Sequence, residues 1–161
     1  MELLLERWVL TLATLPLPNS AEPRAPVPYP TPLFYAVADL TGPPRLVFAS
    51  RPDSTHGRHL GDGPTAVAAG LYLESESVAE LRGVQLRGEV IRIPAGAPDA
   101  TALRSAYLGR HPAAEPLLRP GAREELYVLA VTWAKLTDNR RGFGHKLEWS
   151  FEPPKNFFAG P

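Results

Sequence analysis

The chain has 161 residues, of which 44% are apolar and 21% charged, a composition typical of one globular domain. Its 17 basic and 17 acidic residues give a formal net charge of zero, which argues against nucleic acid as a partner. The absence of cysteine excludes disulfides, thiolate nucleophiles, Cys-ligated zinc and iron–sulfur clusters. We therefore expect a single domain over residues 1–161.

The start of the chain bears on its location. The apolar runs Leu3–Leu5 and Trp8–Leu15 are too short to span a bilayer. Glu2 and Glu6 lie where a secretory signal peptide carries positive residues. These features predict a cytoplasmic protein with no membrane partner.

Short apolar runs alternate with turn residues in the first third of the chain. They predict, in order, a helix at Glu2–Trp8, a strand at Val9–Leu15, a proline-rich loop or edge segment over residues 19–31, and strands at Leu33–Ala38 and Arg45–Ser50. Because only the turn at Thr41–Pro44 separates the last two strands, we expect them to form a hairpin.

The rest of the chain also predicts mostly strands. They lie at Thr65–Leu73, Leu81–Ile93, Glu125–Leu136 and Leu147–Phe151, with helices at Ser54–Leu60 and Asp99–Gly109. Gly88 and Glu89 interrupt the alternation of apolar residues, which predicts a β-bulge. No strand–helix–strand unit repeats, so the pattern favours an antiparallel sheet or small barrel of about six or seven strands with two or three short helices.

The densest polar cluster runs from Ser50 to His59, between a strand and a helix. Its hydroxyl, histidine and arginine side chains suit a phosphate group. A capped helix with solvated charges explains the same residues equally well. A Ser–His–Asp triad is disfavoured because the chain lacks a G-x-S-x-G elbow. His56 and His59 lack a third ligand at recognisable spacing, so we expect no metal site.

Three other features admit a ligand-binding and a structural interpretation. Gln85, between Arg82 and Arg87 on the long strand, lies either in a cleft or on an ordinary polar face. The basic turn Arg140–Lys146 matches no phosphate-binding fingerprint and is typical of a solvated hairpin turn. Trp133 covers a planar ligand in one interpretation and packs against its neighbours in the other.

Several stretches in this order resemble the FMN-binding split-barrel superfamily, whose named member is pyridoxamine 5′-phosphate oxidase, and within it a branch of small, uncharacterised bacterial proteins. The matching stretches are Leu12–Leu15, Pro32–Val37, Leu46–Ser50 leading into Ser54–Leu60, Leu81–Glu89 and Leu136–Trp149. The patterns R-G-V-Q-x-x-G-E and T-D-N-x-x-G-F-G-x-K are the most specific to that branch. The resemblance covers residues 8 to 150 and implies an antiparallel split β-barrel.

The resemblance also implies a homodimer with two FMN molecules at the subunit interface. Carried onto this chain, the flavin phosphate is expected at Ser50, Thr55, His56 and Arg58, where His56 takes a place that is often Lys in the family. The isoalloxazine ring is expected along Pro32, Leu33, Phe34 and Tyr35, through backbone groups. Gln85 is expected to face the ring, and Trp133 to cover it from the partner subunit.

These expectations predict a flavoprotein that transfers hydride or electrons between small-molecule donors and acceptors. No side chain stands out as a catalytic acid, base or nucleophile, so the catalytic residues are unassigned. One alternative is a flavin- or haem-binding or sensing module without turnover. Another is a barrel that has kept the dimer and lost the cofactor, which the histidine at position 56 makes worth testing.

Overall fold

The computed structural model describes residues 2–18 and 27–153. The helices are α1 (Glu2–Glu6), α2 (Thr55–Leu60) and α3 (Ala100–Arg110); the strands are β1 (Val9–Thr14), β2 (Tyr29–Asp39), β3 (Arg45–Ser50), β4 (Thr65–Leu73), β5 (Arg82–Arg92), β6 (Glu125–Asp138) and β7 (Lys146–Ser150). Short 3₁₀ helices lie at Val78–Glu80, Pro112–Leu118 and Asn139–Arg141. In this described part, no helix has the length and hydrophobicity that crossing a bilayer requires.

The strands form one antiparallel sheet that closes on itself. Its order is β3-β2-β1-β4-β5-β6-β7, and β3 also pairs with β6, which closes a six-stranded barrel and leaves β7 as an extra strand. The predicted hairpin is confirmed as β2 and β3. The mainly β, antiparallel barrel with few short helices that the sequence predicts is therefore confirmed.

The barrel interior is filled by alternate residues of each strand, as a pleated strand with one buried face requires. Leu10 and Leu12 of β1 are fully buried, and the rings of Phe48 and Tyr127 stack with centroids 5.4 Å apart. Leu3 of α1 joins the same core. A second apolar cluster lies outside the barrel, where α3 covers alternate side chains of β2, β3 and β6.

The predicted bulge in β5 is confirmed next to Gly88. The pairing register with β6 shifts between Arg87 and Gly88. A Cβ atom at Gly88 would lie 2.1 Å from the carbonyl oxygen of Ala130, a distance that real Cβ atoms do not reach. Only glycine therefore allows the two backbones to approach this closely, which is why the alternation breaks at this residue.

The start of β2 differs most from the sequence-based expectation, which placed it at Leu33. The sequence predicts a loop or edge segment over residues 19–31, and the structure shows the edge segment at its end, where β2 begins at Tyr29; residues 19–26 lie outside the described part of the chain. Pro30 and Pro32 lie within the strand because residues 29–34 pair only with β1 among the described strands, and pairing with β3 starts at Tyr35. A strand edge without a neighbour tolerates prolines that lack the N–H donor.

Two fully buried tyrosines differ in the hydrogen bonding of their hydroxyl groups, which makes them a matched pair for substitution. The Tyr35 hydroxyl donates a hydrogen bond to the Leu4 carbonyl oxygen at 2.7 Å, whereas the Tyr127 hydroxyl has no partner among the described residues. We expect Tyr35→Phe to lower the free energy of unfolding by about 1–2 kcal/mol, because it leaves a buried carbonyl unsatisfied. Tyr127→Phe should leave it unchanged or raise it. Urea denaturation of both variants measures the difference, and equal losses would contradict this account.

Candidate functional site

The Ser50–Arg58 segment, predicted to hold a phosphate, is a tight turn that joins β3 to α2. Ser54 caps α2: its Oγ accepts a hydrogen bond from the Gly57 N–H at 3.1 Å and donates one to the Arg51 carbonyl oxygen at 2.7 Å. Gly57 is required because a Cβ there would lie 2.2 Å from the same Arg51 oxygen. The hydrogen bonds of Ser54 and the lack of a side chain at Gly57 therefore hold this turn against the first turn of α2.

Ser50 and His56 form the buried part of this segment. The Ser50 Oγ lies 2.5 Å from His56 Nε2, and the two residues retain only 7% and 9% of their exposure. Burial lowers the pKa of His56, and the nearby His59 lowers it further. At neutral pH the pair is therefore an uncharged imidazole hydrogen-bonded to a hydroxyl.

Thr55 and Arg58 form the accessible part of the segment. Arg58 is exposed; it donates to the Asp53 carbonyl oxygen at 2.7 Å and to Thr55 Oγ1 at 3.4 Å. The structure thus brings together Ser50 with His56 and Thr55 with Arg58. The Asp53 carboxylate accepts hydrogen bonds from Arg51 and Arg123 rather than from a histidine, so no Ser–His–Asp triad is assembled here.

His59 lies on the inner side of α2, next to the end of β1. Its Nδ1 is 2.9 Å from Thr14 Oγ1, and its ring makes an edge contact with Tyr29. His56 and His59 thus each contact a hydroxyl. Within residues 2–18 and 27–153, no three His, Asp or Glu side chains come close enough to hold a metal ion.

The β2 stretch that was predicted to hold the flavin ring runs beside this turn. Pairing of β2 with β3 ends at Tyr35 and Phe48, and β3 then continues to Ser50 before the chain turns into α2. Residues 29–34 therefore pair with β1 on one side and form, on the other side, an edge without a strand partner among the described residues, next to the point where the Ser50–Arg58 segment begins. We call this edge the open edge of β2.

The four predicted residues on β2 point to two sides. Pro32 and Phe34 are exposed, whereas Leu33 packs against the core and Tyr35 is fully buried. The backbone of Tyr35 is also engaged: its N–H donates to the Trp8 carbonyl oxygen, and its own carbonyl oxygen is 2.8 Å from His111 Nε2. A ligand on this strand can therefore reach Pro32 and Phe34 most directly.

Gln85 lies on the outer face of the barrel and lines a groove of about 320 Å³. Gly70 pairs with both Thr11 and Gln85, so these three residues form one row across β1, β4 and β5. Tyr72, 65% exposed, stands beside that row. The sequence-based prediction does not include Thr11, Gly70 or Tyr72; the Ala and Gly content of β4 is the signal that favours a close approach by a ligand or chain there.

Trp133 lies on the outer face of β6, directly opposite Arg87 of β5. The Arg87 guanidinium is 4.7 Å from the indole centroid, and the Lys135 ammonium is 5.5 Å from it. Lys135 pairs with Gln85, so Trp133 and Gln85 are diagonal neighbours on one face. The predicted roles of Trp133 and Gln85 toward FMN remain predictions.

The basic turn Arg140–Lys146 is held by its own polar groups. Arg140 donates hydrogen bonds to Asp138, and this interaction lowers the pKa of that carboxyl to about 2. The Gly144 N–H donates to Asn139 Oδ1 at 3.0 Å. Phe143 at the tip is 87% exposed. These contacts are those of a structured hairpin turn. They agree with the structural interpretation of this segment, and a ligand-binding role for it stays a prediction.

The lowered pKa of His56 makes the stability of the protein depend on pH. Because burial lowers this pKa below the ordinary value of 6.5, the unfolded chain binds the proton more readily than the folded chain. The contribution of neutral His56 to the free energy of unfolding is therefore fully present above pH 6.5, and it decreases as the pH falls below that value. We expect the Tm of the unliganded protein to fall between pH 7 and pH 5, and less steeply in His56→Gln. An equal slope in both proteins, measured by circular dichroism, would contradict this expectation.

Known proteins are similar to this chain in both sequence and structure. The sequence matches no model of a known protein family. It is 35% identical over 97 residues to the UPF0306 protein YhbP of Salmonella paratyphi A, a match that covers 60% of this chain and 61% of that protein. The chain thus spans less than two thirds of the length of this curated relative.

Two solved structures superpose on most of the chain. A haem-binding protein from Mycobacterium smegmatis has a TM-score of 0.66 and 23% identity, over 88% of this chain and 52% of that one. A pyridoxamine 5′-phosphate oxidase-related, FMN-binding protein from Nostoc punctiforme has a TM-score of 0.57 and 14% identity, over 91% of this chain and 87% of that one. At these identities the likeness shows the fold, and it confirms the split barrel that the sequence motifs predicted.

Proposed function

We propose that this protein is an FMN-binding flavoprotein that transfers hydride or electrons at a homodimer interface. The observation that carries the proposal is the juxtaposition of the open edge of β2 with the Ser50–Arg58 segment. The first offers backbone groups to a planar heterocycle, and the second offers hydroxyls and a guanidinium to a phosphate. Both lie where β3 separates from β2.

The phosphate end of the proposed site rests on the chemistry of its side chains. Ser50, Thr55, His56 and Arg58 provide two hydroxyls, an imidazole and a guanidinium within one turn of chain. Arg58 is bound to a backbone carbonyl and to Thr55 but to no carboxylate among the described residues, so its charge can be directed to an anion. Hydrogen bonds between such charged donors and phosphate oxygens are short and strong.

The ring end rests on the open edge of β2 and on the outer face of the barrel. Because Pro30 and Pro32 have no N–H, this edge presents mainly carbonyl oxygens, which suit the N3–H donor of an isoalloxazine. Gln85 contributes an amide on the outer face of β5, beside the flat row that it forms with Thr11 and Gly70. In the proposed dimer, Trp133 of one subunit covers the ring held by the other.

The proposed dimer would also bury an apolar surface that the single chain exposes. Val9, Phe34 and Tyr72 lie on the outer face of β1, β2 and β4 with 40%, 58% and 65% of their surface exposed. Exposed apolar residues concentrated on one sheet face are typical of a surface that contacts another protein. A second copy of the chain, with the cofactor between the two copies, is the occupant we propose.

When bound, the flavin would supply the hydride and electron chemistry, and this chain would bind the cofactor and orient it. The imidazole of His111 lies beside the open edge of β2, but its Nε2 is 2.8 Å from the Tyr35 carbonyl oxygen, and no described side chain there is identified as a catalytic group. The substrate is a small-molecule electron donor or acceptor. A structure neighbour binds haem, which makes haem the alternative ligand.

Three of the four histidines favour flavin over haem; the fourth, His145 of the Arg140–Lys146 turn, has no hydrogen-bond partner for its Nε2 among the described residues. A haem iron takes His, Cys, Met or Tyr as its axial ligand, and the chain has no cysteine. His56 and His59 are buried against hydroxyls, and Nε2 of His111 is held by the Tyr35 carbonyl oxygen. Each of these three histidines would have to break a hydrogen bond to reach an iron.

An absorption spectrum of the protein purified without added cofactor tests the proposal. We expect flavin bands in the visible range, or their appearance after incubation with FMN and gel filtration, followed by bleaching on anaerobic addition of NADH or NADPH. A Soret band after incubation with hemin and none of the flavin bands would favour the haem alternative. If neither the flavin bands nor the Soret band appears, the result would favour a barrel that has lost its cofactor.

A further inference from the structure

We propose that the outer face of β5 and β6 binds an acidic aromatic compound, whose carboxylate or phosphate group lies between Arg87 and Lys135, beside Trp133. In the proposed flavoprotein this compound is the electron donor or acceptor. The inference therefore rests on the proposed function, and it names the chemical class of the substrate. Its basis is that two positive side chains meet at one indole ring.

The two cations lie close enough to share one anion. Arg87 is directly opposite Trp133, and Lys135 follows Trp133 by two residues on the same face. Arg87 and Lys135 are therefore diagonal neighbours, with their Cβ atoms about 7–8 Å apart. The Arg87 guanidinium is 4.7 Å and the Lys135 ammonium 5.5 Å from the indole centroid. The ring attracts each cation, whereas the like charges repel each other, so an anion between them stabilises the arrangement.

The second contact between an arginine and a tryptophan in this chain shows a different use of the guanidinium. Arg110 lies 4.2 Å from the ring centroid of Trp8, and its guanidinium donates to two backbone carbonyl oxygens near the end of α1, at 2.7 and 2.8 Å. Among the described residues, no acceptor binds the guanidinium of Arg87 or the ammonium of Lys135. The donors of these two side chains are therefore available to a ligand.

The nearest carboxylates along the strands do not neutralise this pair. Glu89 lies two residues after Arg87 on β5, and Glu148 of β7 pairs with Lys135 in register. In the part of the chain that the structure describes, neither carboxylate forms an ion pair with either cation. Both cations lie at the indole instead, and Arg87 is exposed, so an anion from solvent can reach them.

The neighbouring strands provide space for an aromatic ring on the other side of Arg87. Arg87 pairs with Ala68 of β4, and Ala68 pairs with Ala13 of β1. These small side chains form the floor of a groove of about 610 Å³, which Arg87 also lines. From Arg87 to Ala13 the floor crosses two strand spacings, about 10 Å, which accommodates a fused bicyclic ring.

The groove also connects the two cations to the proposed flavin site. Pro28 lines it, one residue before the open edge of β2. A compound whose acid group meets Arg87 and Lys135 can therefore lay its ring on the floor and extend toward that edge. Because the flavin ring is proposed at the same edge, this position brings the ring of the compound next to the cofactor.

Titration of the ¹⁵N-labelled, cofactor-free protein with 2-naphthoate, followed by NMR, tests the acid site. 2-Naphthamide has the same ring without the charge and is the matched control ligand. We expect 2-naphthoate to shift the indole N–H signal of Trp133 saturably, with an affinity at least tenfold above that of 2-naphthamide. The signal is identified by its loss in Trp133→Phe. The signal of Trp8 should not shift, because the arginine at that ring is already hydrogen-bonded.

Two variants test the roles of the cations. Arg87→Gln and Lys135→Gln should each weaken 2-naphthoate binding about tenfold and leave 2-naphthamide binding unchanged. Arg119→Gln, which removes an exposed charge that pairs with Glu115, should change neither. A thermal melt confirms that each variant is folded. An equal loss for both ligands would show that Arg87 and Lys135 only pack against the ring, and it would overturn the inference.

The phosphate of FMN is a second source of the same chemistry, and flavin titrations distinguish it from a substrate. If the cations bind a substrate, Arg87→Gln should bind FMN and riboflavin as the wild-type protein does. A selective loss of FMN affinity in Arg87→Gln would assign these cations to the cofactor phosphate and overturn the inference. In the FMN-loaded protein, 2-naphthoate should also change the visible flavin bands. Unchanged bands at saturation would overturn its position beside the flavin ring.

These experiments separate this inference from the proposed function. Equal affinities for 2-naphthoate and 2-naphthamide, or no binding of either, overturn the acid site and leave FMN binding to be judged by its own titration. Absence of FMN binding overturns the proposed function and the assignment of the compound as its substrate. The 2-naphthoate titration then still decides the acid site, because it is carried out without the cofactor.

Discussion

Replacing Gly88 with alanine is expected to lower the free energy of unfolding by about 3 kcal/mol. The new Cβ would lie 2.1 Å from the carbonyl oxygen of Ala130 and 3.0 Å from a methyl group of Leu129. The carbonyl belongs to the backbone of β6, which pairs with both β5 and β3 and therefore cannot move without disturbing the barrel closure. Urea denaturation followed by tryptophan fluorescence measures the loss.

Gly109→Ala is the matched control. Gly109 lies in α3, and a Cβ there would meet nothing within 4 Å. Alanine favours helix over glycine by up to about 1 kcal/mol, so this variant should be as stable as the wild-type protein or more stable. If Gly88→Ala were as stable as Gly109→Ala, the close approach of β5 to β6 at the bulge would be wrong.

Arg58→Ala is expected to weaken FMN binding by about tenfold or more. A hydrogen bond to a charged group contributes about 1.5–3 kcal/mol, and exposure to solvent places Arg58 toward the lower end of that range. Riboflavin affinity should not change, because Arg58 is assigned to the phosphate. Fluorescence quenching of each flavin by the protein measures both affinities.

Arg119→Ala provides the control for the loss of a surface charge. Arg119 is also exposed, and it pairs with Glu115 four residues earlier rather than lying in the Ser50–Arg58 segment. Its replacement should leave the affinity for FMN unchanged. Unchanged affinity in Arg58→Ala, or an equal loss in both variants, would remove Arg58 from the phosphate site.

The parts of the fold that the sequence predicted are those that a local pattern determines. Thr65–Leu73 forms β4 with the bounds that the pattern indicated, and Gly88 marks the bulge because a glycine within alternating apolar residues has a steric reason to be there. The cap of α2 followed in the same way from Ser54. Each of these features depends on neighbours along the chain.

The parts that the sequence could not predict depend on pairing between distant strands. The prolines near β2 left a loop and an edge segment as alternatives, because nothing local shows that residues 29–34 pair on one side only. The contact between Ser50 and His56 likewise requires a turn whose path is set by Gly57 and by the carbonyls around it. Neither the open edge of β2 nor the buried state of His56 is visible in residue order.

The candidate site was predicted in its residue types and less well in its arrangement. Ser50, Thr55, His56 and Arg58 do lie in one segment, but the histidine is buried, and only Thr55 and Arg58 are readily accessible. The alternation of side chains on β2 was predictable from the strand pattern. The hydrogen bonds of the Tyr35 backbone were not, because their partners, Trp8 and His111, are distant in the sequence.

Equilibrium titration of the cofactor-free protein with FMN, with sedimentation of the same samples, tests the central claim most directly. We expect saturable binding of one FMN per subunit by a dimer, with weaker binding of riboflavin because the phosphate contacts are lost. Absence of saturable FMN binding, or stoichiometric binding by a monomer, would contradict the account of a phosphate site at Ser50–Arg58 and a ring site shared between two subunits.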